Sequence, residues 1–189
     1  VDRRQRQMCI RDSDKTGTIT FGNRLAAEFY PVKGASREEL IQFSVMSSLL
    51  DPTPEGKSTV ELGRKQGCIL GAEVPAGMTF VEFTAQSKMS GVNMADGTIV
   101  RKGASSAVQA MVKEMGGTIP EDLEEIVNRV SNLGGTPLAV AVGKRILGVI
   151  YLKDTVKPGL AERFARLREI GIKTVMCTGA VSYTHLTLP

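Results

Sequence analysis

The chain has 189 residues, 42% of them hydrophobic and 23% charged, with a formal net charge of +4. That composition is ordinary for a globular protein long enough for one large domain or two small ones. No apolar run reaches membrane-spanning length, the cysteines match no zinc or redox spacing, and aromatics are too few to stack bases. The chain therefore reads as soluble, with reduced thiols and no nucleic-acid partner.

Residues 1–13 are polar and Arg-rich, lack helix or strand periodicity, and supply +2 of the formal charge. They resemble translated adapter read-through, as do residues 181–189, which hold the only histidine, His185. Both tails are expected to be non-native and disordered and are set aside from fold reasoning. Chemistry that needs a histidine then has no support.

Asp14-Lys15-Thr16-Gly17-Thr18-Ile19-Thr20 follows at once. Gly17 permits a tight turn, and successive turn amides can form an anion-binding concavity. A carboxylate held there, Asp14, is a candidate nucleophile toward a phosphoryl group. The bland alternative is a chance aspartate at a glycine turn.

Phe21-Gly22-Asn23 reads as a turn and Leu25 to Tyr30 as a strand ending at Pro31. Ser36-Arg37-Glu38-Glu39 is a capping box opening a helix that stops before Asp51-Pro52. A shorter helix is expected over 58–66. Between them, Gly56-Lys57-Ser58 copies the tail of a P-loop, but the glycine required five places earlier is Asp51, and the preceding segment is helical rather than a strand. Strands are expected over 79–83 and 88–94, with Asp96-Gly97 turning a hairpin back through Thr98 to Arg101. A helix runs from Ala104 to Met115. Thr118-Ile119-Pro120-Glu121 reads as a second capping box, for a helix ending near Gly134-Gly135. Leu138 to Val142 and Arg145 to Leu152 form a hairpin around Gly143-Lys144. Pro158 opens an amphipathic helix to Ile170, and 172–177 is a short apolar strand of the parallel, buried type.

An antiparallel, hairpin-rich α+β segment thus sits between two fragments of βα character. The pattern is that of one domain inserted into another: 14–22 and a truncated 153–180 belong to the host, and 23–152 to the insert.

On Asp14 to Thr20, Thr53-Pro54-Glu55-Gly56, Phe83 to Gly91, Arg101-Lys102-Gly103 and Thr174 to Gly179, the chain resembles the cytoplasmic catalytic part of P-type ATPases. Within them it is most similar to the B subunits of Kdp-type potassium-transporting ATPases. The resemblance implies an antiparallel-sheet nucleotide-binding domain inserted into an incomplete haloacid-dehalogenase-like phosphorylation domain of Rossmann type. It implies ATP and Mg2+ as cofactors. It also implies a parent protein in the cell membrane with this region cytoplasmic, partnered by a membrane domain and other Kdp-type subunits. Asp14 would be phosphorylated, with Lys15 beside it, and Asp14 and Thr16 would contact magnesium. Phe83 would stack on adenine, while Glu55, Ser87, Lys88, Lys102 and Gly103 would line the nucleotide pocket.

The residues themselves leave alternatives open. Phe83 is either exposed at a pocket mouth or a core residue on the face of Val81. Lys102, beside a helix start, is either a phosphate contact or a solvated lysine after a hairpin. Glu55 reads as a turn residue in a Pro/Gly loop. Thr16 stands where phosphatases of this fold carry a second aspartate as acid/base, which favours a long-lived acyl-phosphate over rapid hydrolysis. Ala180 replaces the aspartate expected after Thr178-Gly179, and the later lysine and Gly-Asp-Gly motif are absent. The expectation for this stretch by itself is weak nucleotide binding without turnover.

Overall fold

A computed structural model describes residues 20–68, 75–156 and 158–173. The elements in order are β1 (Thr20–Pro31), α1 (Arg37–Met46), α2 (Pro54–Lys65), β2 (Thr79–Val81), β3 (Met89–Asn93), β4 (Ile99–Gly103), α3 (Ser105–Glu114), α4 (Leu123–Asn132), β5 (Thr136–Val142), β6 (Arg145–Val156) and α5 (Leu160–Glu169). The strands form one six-stranded sheet in the order β1-β6-β5-β4-β3-β2. Every pairing from β2 to β6 is antiparallel. Two compact units are distinguished, Asn23–Thr155 and a second made of Val1–Gly22 with Val156–Pro189.

Strand alternation decides which helices cover which face. Ala139, Ala141 and Val149 pack with Val108 and Val112 of α3 and with Leu123, Ile126 and Val130 of α4. Val140, Leu147 and Ile150 pack with Phe29 and with Leu40, Ile41 and Val45 of α1. The unit is therefore three-layered, with α1 and α2 on one face and α3 and α4 on the other. α2 lies close on α1 because residue 63 is glycine: a Cβ there would come within 2.2 Å of Val45 Cγ2.

Local chemistry moved several boundaries. The strand β1 runs straight through Phe21–Asn23, where a turn is expected, with Gly22 accommodating a φ of +76°. Ser36 caps α1 by accepting from the Glu39 N–H. The Glu39 carboxylate does not complete the box; it accepts instead from Arg145 at 3.2 Å. α1 also ends earlier than its apolar pattern suggests, at Met46, where the Ser47 and Ser48 hydroxyls both donate to the Ser44 carbonyl. The Thr118 box does not form, and α4 starts only at Leu123. Pro120 is spent on a turn, accepting from Leu123 N–H, and the Asp122 carboxylate accepts from Lys33 N–H across the fold. Both expected hairpins are present, and the Asp96 carboxylate closes its own turn by accepting from Thr98 N–H at 2.8 Å.

In the second unit, the described part includes α5, opened by Gly159 at φ +77°. Ile172 and Lys173 are exposed and outside any strand; the remainder of the strand expected over 172–177 lies outside the described residues, as do Asp14, Lys15 and Thr16.

Candidate functional site

β4 runs between β3 and β5, and its residue 102 stands opposite Ser90 and Val140. Val140 belongs to the α1 face, so Lys102 points its side chain under the end of α1. There it is only 3% exposed. Its ammonium donates to Asp51 Oδ2 and to Ser48 Oγ, each at 2.7 Å. Lys102 is thus neither solvated nor free; it is half of a buried ion pair.

The other half is built by local rules. Pro52 disfavours helix at Asp51, and the chain turns outward. Asp51 Oδ1 then accepts from the backbone N–H of Thr53 at 3.0 Å and from its hydroxyl at 2.6 Å, an Asx-type turn. The Thr53 hydroxyl in turn accepts from Gly56 N–H at 3.1 Å, the N-cap interaction that starts α2. Proline at the first helical position suits the cap. α2 consequently begins at Pro54, four residues before its expected start, and Glu55 is a first-turn helix residue rather than a loop residue. The Gly56-Lys57-Ser58 decoy lies within that helix. Gly56 itself is packed against the carboxylate: a Cβ there would meet Asp51 Cγ at 2.5 Å.

The charges of this buried pair perturb one another. Burial raises the Asp51 carboxyl, but hydrogen bonds from Lys102 and Thr53 and the charge of Lys102 outweigh it and leave the group below the usual carboxylate range. Burial lowers the Lys102 ammonium, and Asp51 and the charge of Glu55 only partly oppose it. Glu55 therefore shares the electrostatic environment of Lys102 from the first turn of α2.

The turn before β3 holds the other expected site residues. Phe83 stands beyond the end of β2, 60% exposed, so the core alternative for its ring fails. The turn that follows is bonded to itself: Thr84 and Ser87 hydroxyls lie 2.8 Å apart, Ser87 N–H donates to Thr84 Oγ1, and Lys88 N–H donates to the Thr84 carbonyl at 2.8 Å. Lys88 is the one positive-φ non-glycine among the described residues, at +52°, a conformation that side chains rarely take outside functional or strained turns. Its carbonyl accepts from Ala104 N–H at 3.0 Å. Gly103 makes that approach possible, since a Cβ there would be 2.3 Å from the Lys88 oxygen. Met89 pairs with Gly103 and Ser90 with Lys102.

Ser87, Lys88, Lys102 and Gly103 thus meet at one end of the β3–β4 ladder, with Phe83 leading into the same turn. Asp51 and Ser48 hold Lys102 at the end of α1, with Thr53 fixing Asp51. Asp51 and Ser48 were not legible as site residues, although Asp-Pro-Thr-Pro is a recognisable turn-and-cap signal. Among the described residues no three His, Cys, Asp or Glu side chains come together. Magnesium contacts are expected from Asp14 and Thr16, which lie outside the described residues. No helix among the described residues is long and apolar enough to cross a membrane.

The haloacid dehalogenase-like hydrolase family matches residues 13–184. The chain is 59% identical over 175 residues to the potassium-transporting ATPase ATP-binding subunit of Clostridium acetobutylicum, covering 93% of this chain and 26% of that protein. It is 54% identical over 175 residues to the subunit of the same name from Caldanaerobacter subterraneus, with the same coverages of 93% and 26%. The chain therefore spans about a quarter of the length of these relatives. Among solved structures it is similar to a zinc-transporting PIB-type ATPase, with TM-score 0.60 and 20% identity, over 85% of this chain and 24% of that one. It is also similar to the catalytic CPx-ATPase domain CopB-B, with TM-score 0.50 and 16% identity, over 85% and 47%. At these identities the two structures speak for the fold.

Proposed function

Since the chain belongs to the haloacid dehalogenase-like hydrolase family, we propose that it is the nucleotide-binding domain, with part of the phosphorylation domain, of an ATP-driven potassium pump subunit of P type. Its relatives' names support potassium as the transported ion. The insert would comprise 23–152 and the host pieces 14–22 and 153–180. The observation that carries the binding role is the exposed Phe83 ring at a self-bonded turn whose far end meets Lys102 and Gly103. An exposed aromatic face on a fixed turn offers a stacking surface to a purine. Ser87 and Lys88 supply polar and cationic groups beside it, and Glu55 adds its charge to the surroundings of Lys102.

In the parent protein, the Asp14 carboxylate oxygen attacks the γ-phosphorus of ATP. The new Asp14 O–P bond forms as the bond from that phosphorus to the β,γ-bridging oxygen breaks, and ADP leaves with the electron pair. Asp14 and Thr16 would hold magnesium, which would supply charge neutralisation at the phosphates. With Thr16 in the place of a general base, the acyl-phosphate persists. The parent sits in the cell membrane with this region on the cytoplasmic side, joined to other Kdp-type subunits.

The test is titration of ATP into the full 189-residue chain, followed by amide NMR shifts. Saturable shifts around Phe83 and Lys88 that vanish in Phe83→Ala support the assignment; a dispersed spectrum indifferent to ATP refutes it. A second reading, binding without turnover, is favoured for this stretch by Ala180 in place of the expected aspartate. Hydroxylamine-labile label on Asp14 from radiolabelled ATP would overturn that second reading.

A further inference from the structure

We infer that Asp51 and Ser48 are positioning residues of the nucleotide site, which act by fixing the Lys102 ammonium against the end of α1; the inference rests on the nucleotide reading above. Four observations converge on it. Lys102 carries a long flexible side chain on a strand next to the Phe83–Lys88 turn, yet it is 3% exposed and held in one geometry by two bonds of 2.7 Å. Asp51 is itself fixed, with its second oxygen occupied by Thr53. The Ser48 hydroxyl is fixed in the same way, donating to the Ser44 carbonyl at 2.8 Å. Gly56 leaves the room in which the carboxylate sits, since a Cβ there would come within 2.5 Å of Asp51 Cγ.

The chain uses the α1–α2 connection for this, a segment with no residue in the turn it serves. A lysine side chain has many rotamers, and ordering it at the moment of binding weakens a ligand. Here the ordering is completed on folding. The pairing also decides what Lys102 can offer. Its charge is matched by Asp51 and screened from water, so it serves as a fixed, neutralised strut under the end of the β3–β4 ladder, leaving exposed Lys88 as the available cation for phosphate. Removing Asp51 leaves a buried amine without a counter-charge, which escapes toward water or sheds its proton; in either case Lys102 no longer ties the β3–β4 ladder to the end of α1.

The experiment measures ATP affinity by calorimetry on the full chain for Asp51→Asn, Lys102→Met, the double variant and Phe83→Ala, with urea unfolding run alongside. Asp51→Asn and Lys102→Met are each expected to weaken ATP by about tenfold or more, as the end of the ladder beside Lys88 loses its fixed support. The double variant is expected to bind no more weakly than Lys102→Met alone. Ser48→Ala, which removes one of the two bonds and keeps the ion pair, is expected to lose less, and it carries the same cycle should Asp51→Asn fail to fold. A folded Asp51→Asn with wild-type affinity overturns the inference, as does equal weakening in the presence and absence of Lys102. Loss of binding in Phe83→Ala alone would leave the nucleotide reading standing and remove the inference. No binding by the unaltered chain would remove the nucleotide reading itself.

Discussion

Replacing Gly56 with alanine tests the packing beneath the ion pair. Helix preference alone favours the change, since alanine in a helix is better than glycine by about 1 kcal/mol. The structure argues the reverse. The new methyl carbon would lie 2.5 Å from Asp51 Cγ, 2.6 Å from its Cβ and 2.8 Å from Oδ2. Ordinary carbon contacts are about 3.5–4.0 Å, so the carboxylate must retreat by roughly 1 Å. It is anchored on both oxygens, to Lys102 and to Thr53. Overpacking of this kind costs about 1–3 kcal/mol, and leaving a buried charge without its partner about 3–5 kcal/mol. With the pair strained but not abolished, the net loss is expected at about 2–4 kcal/mol once the helix gain is subtracted. That corresponds to a fall in Tm of roughly 6–16 °C for a domain of this size. Urea unfolding at neutral pH, followed by far-UV circular dichroism, reads it directly. In an Asp51→Ala background two of the three overlapping atoms are gone, and the cost of the same alanine should shrink. A Gly56→Ala protein as stable as the parent, or more so, would refute the described packing.

Acid should destabilise the domain through the same carboxylate. Because the Asp51 pKa is depressed on folding, its contribution is complete above the unfolded value of about 4 and disappears as pH falls through the lower folded value. A stability series from about pH 6 to pH 2 should therefore show an acid limb that is flatter in Asp51→Asn. Gly91→Ala should lose about 2 kcal/mol or more and the ATP-induced shifts as well, because a Cβ at residue 91 would strike the Val100 carbonyl at 2.1 Å and part β3 from β4; unchanged unfolding would count against this register. Phe83→Ala should leave the urea midpoint within about 0.5 kcal/mol of the parent, since the ring is mostly in water, while removing the ATP response. A large loss of stability would mean that the ring is part of the core.

Much of the architecture is written in local pattern. The Gly143-Lys144 hairpin, the Asp96-Gly97 turn and the Ser36 cap are each specified within a few residues, and each formed. The α1 helix failed at its end because apolar periodicity ran on past Met46, while serine hydroxyls bonding back to the backbone had already stopped it. α2 starts earlier than its pattern suggests because Pro54 and Gly56 resemble loop punctuation, whereas after a threonine cap that proline belongs in the first turn. The Lys102 environment was out of reach for a different reason. Its partner Ser48 is 54 residues away, and no periodicity records a contact made by folding one connection over a central strand.

The long edge pair of the sheet has a bearing on how such a chain assembles. The unit spanning Asn23–Thr155 is entered along β1 and left along β6, which are neighbouring strands, with Val32 N–H bonded to the Leu147 carbonyl. Its entry and exit points are held together by its own sheet. For whatever precedes and follows, the whole intervening stretch acts as a short bridge once this unit has folded. The loop-closure entropy of so long a stretch is met by contacts inside it, and a search over distant sequence becomes one between near neighbours. The same arrangement should let the unit be cut out and grafted as a surface loop of another protein, or its ends be joined by a short turn and new ones opened elsewhere.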